Sequence, residues 1–247
     1  FDLPETTCYI IAELNTDKEK MEIYNVEDPK FGIILYRDVM SDDLNIIGRL
    51  EETLKDSKHE HFKWNTATVG YNTPMPDYRD CVDLKVGPAH WPYLPEDLKE
   101  IKNVYDDTDA ILKKCLADYE SRYNFKMEFM ESINFVRYEV GQHFSVHTDH
   151  GFSYTCTLSS IAYLNDNYEG GELWFPYINL KFKPKKGDVL FFPSTYIFAH
   201  GSLPVTEGVK YSAVTMFDYK DNNKEYHQIA NSQDETKEES GVTLKKL

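Results

Sequence analysis

Two residue types that bind transition metals stand two positions apart in Tyr138-Glu-Val-Gly-Gln-His-Phe-Ser-Val-His147-Thr-Asp149. In a strand, side chains at i and i+2 point to the same face, so the imidazole of His147 and the carboxylate of Asp149 can converge on one ion without distorting the backbone. A third ligand must come from elsewhere in the chain. His200 can supply it, because it follows the apolar run Val189-Leu-Phe-Phe-Pro193 and the short segment 194–199, distant in sequence but easily adjacent in a closed β-structure. Two imidazoles and one carboxylate on one side of a metal leave the other side open, which suits non-haem Fe(II) and O2 chemistry. Ten residues after His200, Lys210 opens the mainly apolar run Lys210-Tyr-Ser-Ala-Val-Thr-Met-Phe217. A lysine there either marks the exposed end of a strand or turns its ammonium inward to hold a carboxylate.

The blocks that carry these residues are Tyr138-x-x-Gly141-Gln142-x-Phe144-x-x-His147-x-Asp149, Tyr163-Leu-Asn165, Gly170-Gly171-Glu-Leu173, Pro184-Lys-Lys-Gly187-Asp188 and the stretch from His200 to Lys210. In this order, over 133–219, the chain resembles the Fe(II)- and 2-oxoglutarate-dependent dioxygenases, and among them the prolyl 4-hydroxylase branch. The resemblance implies that His147, Asp149 and His200 hold Fe(II), that 2-oxoglutarate and O2 share the iron, and that Lys210 neutralises the distal carboxylate of the cosubstrate. Tyr138 and Tyr163 fall where tyrosines of related hydroxylases hydrogen-bond the cosubstrate. Strand alternation supports the second, since Ser159, Ile161 and Tyr163 share one face. The alternative for each is a buried tyrosine whose hydroxyl finds a backbone partner. His143 and His150 flank the three ligands as spectators.

The implied reaction is oxidative decarboxylation of 2-oxoglutarate to succinate and CO2, coupled to hydroxylation of a prolyl residue in a peptide or protein, with ascorbate as the reductant that preserves activity. An intact carboxylate at Asp149 speaks against the halogenating relatives, which vacate that position. The ligand and cosubstrate blocks do not encode the substrate. The same chemistry on a lysyl or other side chain, or on a small molecule, is the alternative, and a non-catalytic jelly-roll binding module is a remote one.

Short strands must position these groups. From Ser132 onward the segments 133–140, 144–149, 155–164, 172–175, 180–183, 188–192 and 209–218 are separated by Gly, Pro and Asn, enough for a double-stranded β-helix, the cupin-like jelly-roll. The fold class expected is α+β, with supporting helices on one outer face. Ser41 starts one helix, with Leu44, Ile47, Leu50 and Leu54 at helical spacing before Lys55. Pro95 starts a second, running through Leu98, Ile101, Tyr105, Leu112, Leu116, Tyr119 and Tyr123 with a break or bend expected near Asp106 to Asp109. Nearer the N-terminus, Cys8–Ala12 and Phe31–Tyr36 read as strands that extend the main sheet.

Between the helices, 62–94 is rich in aromatics interspersed with Pro and Gly, which fits either a groove for an extended peptide or an irregular surface loop. Arg79 could contact peptide carbonyls there or form a surface salt bridge. Arg79 and Trp91, with Trp174 from the strand 172–175, are the candidate substrate contacts. The expected organisation is a single domain over 1–219, its catalytic core at 133–219 and its supporting elements in 1–132, followed by a polar, charged tail over 220–247.

With 247 residues, 41% of them hydrophobic and 14% aromatic, the chain can bury a sizeable core. A formal net charge of −15 disfavours nucleic acid and acidic membrane surfaces, which need a basic face for counterion release. Four scattered cysteines, Cys8, Cys81, Cys115 and Cys156, form neither a zinc ribbon nor a disulfide framework and favour free thiols in a reducing compartment. No run approaches a membrane span, so the expectation is a soluble, cytoplasmic protein. The sequence opens on Phe1 rather than Met, and a start residue, a leader or a longer N-terminal part is expected to precede it.

Overall fold

The computed structural model describes residues 23–24, 32–69, 73–151 and 155–219. Among them, the short apolar runs pair into two antiparallel sheets. The main sheet is ordered β1 (Ile23–Tyr24), β2 (Ile34–Tyr36), β13 (Val189–Pro193), β9 (Leu158–Tyr163), β16 (Lys210–Asp218), β7 (Ile133–Tyr138), β5 (Val82–Val86) and β3 (Asn65–Thr66), with β6 (Phe129–Met130) pairing to β16 off this path. The second sheet is ordered β12 (Leu180–Phe182), β11 (Leu173–Phe175), β14 (His200–Ser202), β8 (His143–His147) and β4 (Arg79–Asp80). A small ladder joins β10 (Glu169–Gly170) to β15 (Val205–Glu207). The fold is α+β, with the two sheets sandwiched as in a jelly-roll.

Alternation along the central strands divides the core into two layers. On β9 and β13, Leu158, Ala162, Val189 and Phe191 face a helical layer, while Ile161, Tyr163, Leu190 and Phe192 face the second sheet and meet Leu173 and Phe175 from β11. The helical layer holds α1 (Ile46–Leu54), which buries Ile46, Leu50 and Leu54, and α2 (Glu100–Tyr123), which buries Ile101, Val104, Tyr105, Leu112, Cys115 and Tyr119. These three- and four-residue spacings give each helix one apolar stripe toward the sheet. The ring of Tyr119 stacks on Phe191, and Phe191 stacks on Phe217, so α2 is keyed directly into the middle of the main sheet.

Several expectations change. The helix expected from Ser41 is divided: the Ser41 hydroxyl caps a 3₁₀ turn over Asp42–Leu44, and Asn45, at a φ of 41°, separates that turn from α1. Pro95 likewise precedes a 3₁₀ turn, Glu96–Leu98, before α2 begins. The bend expected near Asp106 to Asp109 does not occur, and α2 runs unbroken for 24 residues. Its acidic cluster is tolerated because Asp106 pairs with Lys102, Asp107 with Arg49 of α1, and Asp109 with Lys113.

The stretch 62–94 is more than a loop, since it supplies β3, β4 and β5 and a 3₁₀ segment over Pro88–Tyr93. Its strands were hidden by their shortness and by the charged residues of β5, Asp83 and Lys85. The strand expected over 144–149 ends at His147. Of the two N-terminal strands, the one within 31–36 is found as β2, whereas Cys8–Ala12 and the tail 220–247 lie outside the described residues. No helix among the described residues is long and apolar enough to cross a membrane.

Candidate metal centre

His147 and His200 face each other across paired strands: His147 closes β8, His200 opens β14, and the two are direct register partners. Asp149 arrives by a different route from the one its spacing suggested. The chain leaves β8 after His147 and bends toward the main sheet, where the His150 amide donates to the Ser194 carbonyl and the His150 ring contacts the Cys156 carbonyl. This bend delivers Asp149 to Ser159 on β9. The Ser159 hydroxyl donates to Asp149 Oδ2 at 2.6 Å and lies 2.7 Å from the Ser194 hydroxyl, so one carboxylate oxygen is held by the main sheet.

His147 Nε2 lies 3.5 Å from Asp149 Oδ1 and His200 Nε2 lies 3.8 Å from Asp149 Oδ2. The three ligand atoms all fall within 4.8 Å of one another, and theirs is the only such cluster of three or more His, Cys, Asp or Glu side chains among the described residues. Each imidazole has its Nδ1 against a backbone carbonyl, Ser145 at 2.9 Å for His147 and Phe198 at 3.0 Å for His200. A carbonyl can only accept, so Nδ1 carries the proton and Nε2 can present its lone pair to an ion.

Charge states match this use. Burial pushes the Asp149 carboxyl up, but the neighbouring charge of His200, the contacts of His147 and the Ser159 hydroxyl outweigh it and hold the group well below the usual carboxylate range. Burial brings His200 down to about 4 against the pull of Asp149. A carboxylate and a neutral imidazole are the forms that a divalent metal requires.

Lys210 opens β16, opposite Tyr138 in the register, and only 3% of it is exposed. Its Nζ donates to the Gly171 carbonyl and to the Ser202 hydroxyl, each at 2.7 Å, and lies 5.3 Å from the centre of the Tyr138 ring and 5.9 Å from that of Tyr163. No carboxylate pairs with it among the described residues. Ser202 is two residues beyond His200 on β14 and therefore on its face, roughly 7 Å along the strand. The ammonium and the three ligands thus stand at the two ends of one short path between the sheets.

Residues 133–218 match the 2OG-Fe(II) oxygenase superfamily. This segment belongs to that superfamily. The chain is also 37% identical over 112 residues to a protein named "Probable prolyl 4-hydroxylase 9" of Arabidopsis thaliana, covering 34% of this chain and 39% of the relative. It is 28% identical over 151 residues to "Prolyl 4-hydroxylase 13" of the same plant, covering 48% and 55%. The chain thus spans about half the length, or less, of these curated relatives. Among solved structures, a prolyl hydroxylase from Trichoplax adhaerens in complex with a hypoxia inducible factor oxygen degradation domain peptide fragment superposes with a TM-score of 0.61 at 16% identity, over 81% of this chain and 87% of that one. That likeness concerns the fold.

The segment has the groups that Fe(II) and 2-oxoglutarate would need. Besides the three ligands and the unpaired Lys210 ammonium, the Tyr163 hydroxyl is buried and has no hydrogen-bond partner among the described residues. A buried orphan hydroxyl costs about 1–3 kcal/mol unless a ligand satisfies it, and a diacid held against Lys210 would have spare oxygens for that purpose. The backbone partner considered for Tyr163 is therefore absent among the described residues.

The candidate substrate contacts are scattered across the fold. Arg79 pairs with Asp83 at 3.0 Å and donates to the Thr68 carbonyl at 2.8 Å, so its guanidinium is engaged within the fold. Trp91 packs edge-on against Tyr105 in the helical layer, on the far side of the main sheet from the three ligands. Trp174 is exposed on β11, opposite Gly201 in the register. Sequence reasoning passed over Ser159 and Ser194 as ligand supports. Ser159 was legible from its shared parity with Tyr163, while Ser194 needed the bend after His147.

Proposed function

We propose that the protein is an Fe(II)- and 2-oxoglutarate-dependent dioxygenase that hydroxylates a prolyl residue in a peptide or protein. The observation that carries this reading is the pairing of the His147, Asp149 and His200 cluster with a buried, carboxylate-free Lys210 and an unpartnered Tyr163 hydroxyl between the same two sheets. The prolyl target is supported by the named relatives, and the catalytic segment is taken as the core of one domain reaching to residue 219.

When bound, Fe(II) with 2-oxoglutarate and O2 supplies the oxidation, one oxygen atom ending in succinate and the other in the substrate hydroxyl as CO2 leaves. The chain supplies placement. His147 and His200 keep their Nε2 atoms aimed inward through their Nδ1 contacts, and Ser159 fixes the rotation of the Asp149 carboxylate. Lys210 orients a diacid by its far end, and in so dry a setting a charge-assisted contact is stronger than in water. Phe175 and Phe192 pack around His200 with ring centres 5.4 and 4.7 Å from it, which excludes water from that side. Ascorbate would serve as the reductant.

The test is mass spectrometry of proline-containing peptides after incubation with the protein, Fe(II), 2-oxoglutarate, ascorbate and air, with succinate followed in parallel. A gain of one oxygen on proline that is absent with His147→Ala is the expected result. Succinate without oxidised proline would retain the dioxygenase and move the target to a lysyl or other side chain or to a small molecule. Neither product would overturn the reading in favour of a binding module.

A further inference from the structure

The pairing of β8 with β14 contains an irregularity with a chemical consequence. His200 lies opposite His147, but Ser202 lies opposite Phe144, so β8 advances three residues where β14 advances two. One extra residue is therefore bulged in β8 between Phe144 and His147. In a regular strand, residues three apart point to opposite faces. Here the bulge turns Phe144 to the side of His147, and their rings lie 3.6 Å apart between centres, inclined by only 14°. Gly201 sits against the bulge, where a Cβ would stand 2.9 Å from the Phe144 carbonyl oxygen.

Phe144 is held in its turn. Arg79, its direct cross-strand partner on β4, carries its guanidinium carbon 4.9 Å from the centre of the Phe144 ring, and Tyr78 meets that ring edge-on at 5.8 Å. The Arg79 head is itself fixed by Asp83 and by the Thr68 carbonyl. A layered series thus runs from the anchored guanidinium through Phe144 to the metal-facing imidazole.

We propose that Phe144 is a positioning residue for the metal centre: its ring, clamped by Arg79 and Tyr78, fixes the plane of the His147 imidazole so that Nε2 meets the ion. The Nδ1 contact to Ser145 restrains one atom of that ring, and a flat neighbour at van der Waals distance restrains its rotation about the Cβ–Cγ bond. An imidazole that donates its lone pair to a cation becomes electron-poor, which favours stacking on the electron-rich face of a phenyl ring. A ligand ordered beforehand loses less freedom when the metal binds. This inference rests on the metal centre of the proposed function and needs no knowledge of the substrate.

The experiment is titration of the metal-free protein with Co(II), read by its visible ligand-field absorption, for the unsubstituted chain and for Phe144→Leu and Phe144→Tyr. Thermal melting without metal controls for folding. Phe144→Leu, which retains bulk but not a flat face, should weaken Co(II) binding by about tenfold or more and alter the absorption band, as loss of a ligand's supporting group typically does. Phe144→Tyr should restore both. Should the leucine variant fail to fold, Phe144→Met supplies an unbranched side chain for the same comparison. Unchanged Co(II) affinity and spectrum in the folded leucine or methionine variant would overturn the inference and leave the metal centre standing. Absence of Co(II) binding by the unsubstituted chain would remove the metal centre and the inference together.

Discussion

Lys210 lies between two tyrosine rings with neutral oxygens as its hydrogen-bond partners, so its charge depends on what is brought against it. Burial brings its ammonium down from the ordinary 10.5 to about 7, although Glu172 and Cys81 pull the other way. Between these values the unfolded chain keeps a proton that the folded chain has released, so the contribution of Lys210 to stability rises with pH through that window. A diacid bound against it reverses the preference. At pH 8 the binding of 2-oxoglutarate should therefore take up close to one proton, and at pH 6 almost none, as measured by calorimetry in buffers of different ionisation enthalpy. Lys210→Met should abolish the uptake at pH 8. A second expectation is kinetic: Lys210→Ala removes a charge-assisted contact of about 1.5–3 kcal/mol and should raise the 2-oxoglutarate requirement by roughly ten- to a hundredfold. An unchanged requirement would locate the distal carboxylate elsewhere.

At the scale of the element, the centre depends on how β8 ends. A regular strand running through Asp149 would have set His147 and Asp149 on one face but would have left Phe144 on the other. The bulge and the bend together bring Phe144, His147 and Asp149 to the same space, and Gly201 is the residue of β14 that permits it. Gly201→Ala would drive a methyl group to 2.9 Å from one backbone atom and 3.2 Å from another, neither of which can turn aside. The variant should lose about 1–3 kcal/mol of stability, as overpacked sites do, and should bind Co(II) much more weakly than that loss alone explains. A normal melting temperature with normal Co(II) affinity would show that β8 tolerates the regular pairing. The motif residues His147, Asp149 and His200 were legible in the sequence, and so were the approximate positions of β7, β9, β13 and β16, because these strands are long and apolar. The bulge was not, since it is a property of the pairing of two strands and leaves no periodic mark in either.

For the whole molecule, the three ligands come from both sheets: His147 and His200 from the second, and Asp149 from a bend anchored on Ser159 of the main one. An ion bound here ties the sheets together and binds the folded chain alone. By mass action, Co(II) or Fe(II) at a hundredfold excess over its Kd should add about 2.7 kcal/mol to the free energy of unfolding, with 2-oxoglutarate adding further. The melting temperature should rise accordingly under anaerobic conditions, and the rise should vanish in His147→Ala and Asp149→Ala. A rise that persists in either variant would mean that the ion acts at another site.

The sequence by itself determined the chemistry of the centre. Ligand type, the spacing of His147 and Asp149, the later His200 and the lysine ten residues beyond it are facts of composition and order, and the superfamily match over 133–218 rests on the same blocks. It also determined which face of each helix is buried, because burial imposes a period of 3.6 on a helical segment, whereas β9 and β13 are buried on both faces and read only as continuous apolar runs. Only the tertiary structure decided how the carboxylate reaches the imidazoles, that Arg79 is anchored to Asp83 and the Thr68 carbonyl, that Trp91 belongs to the helical layer, and that Phe144 lies against His147. Each of these depends on contacts between segments far apart in the chain, where a one-residue bulge or a bend changes which side chains meet without changing the pattern of either segment.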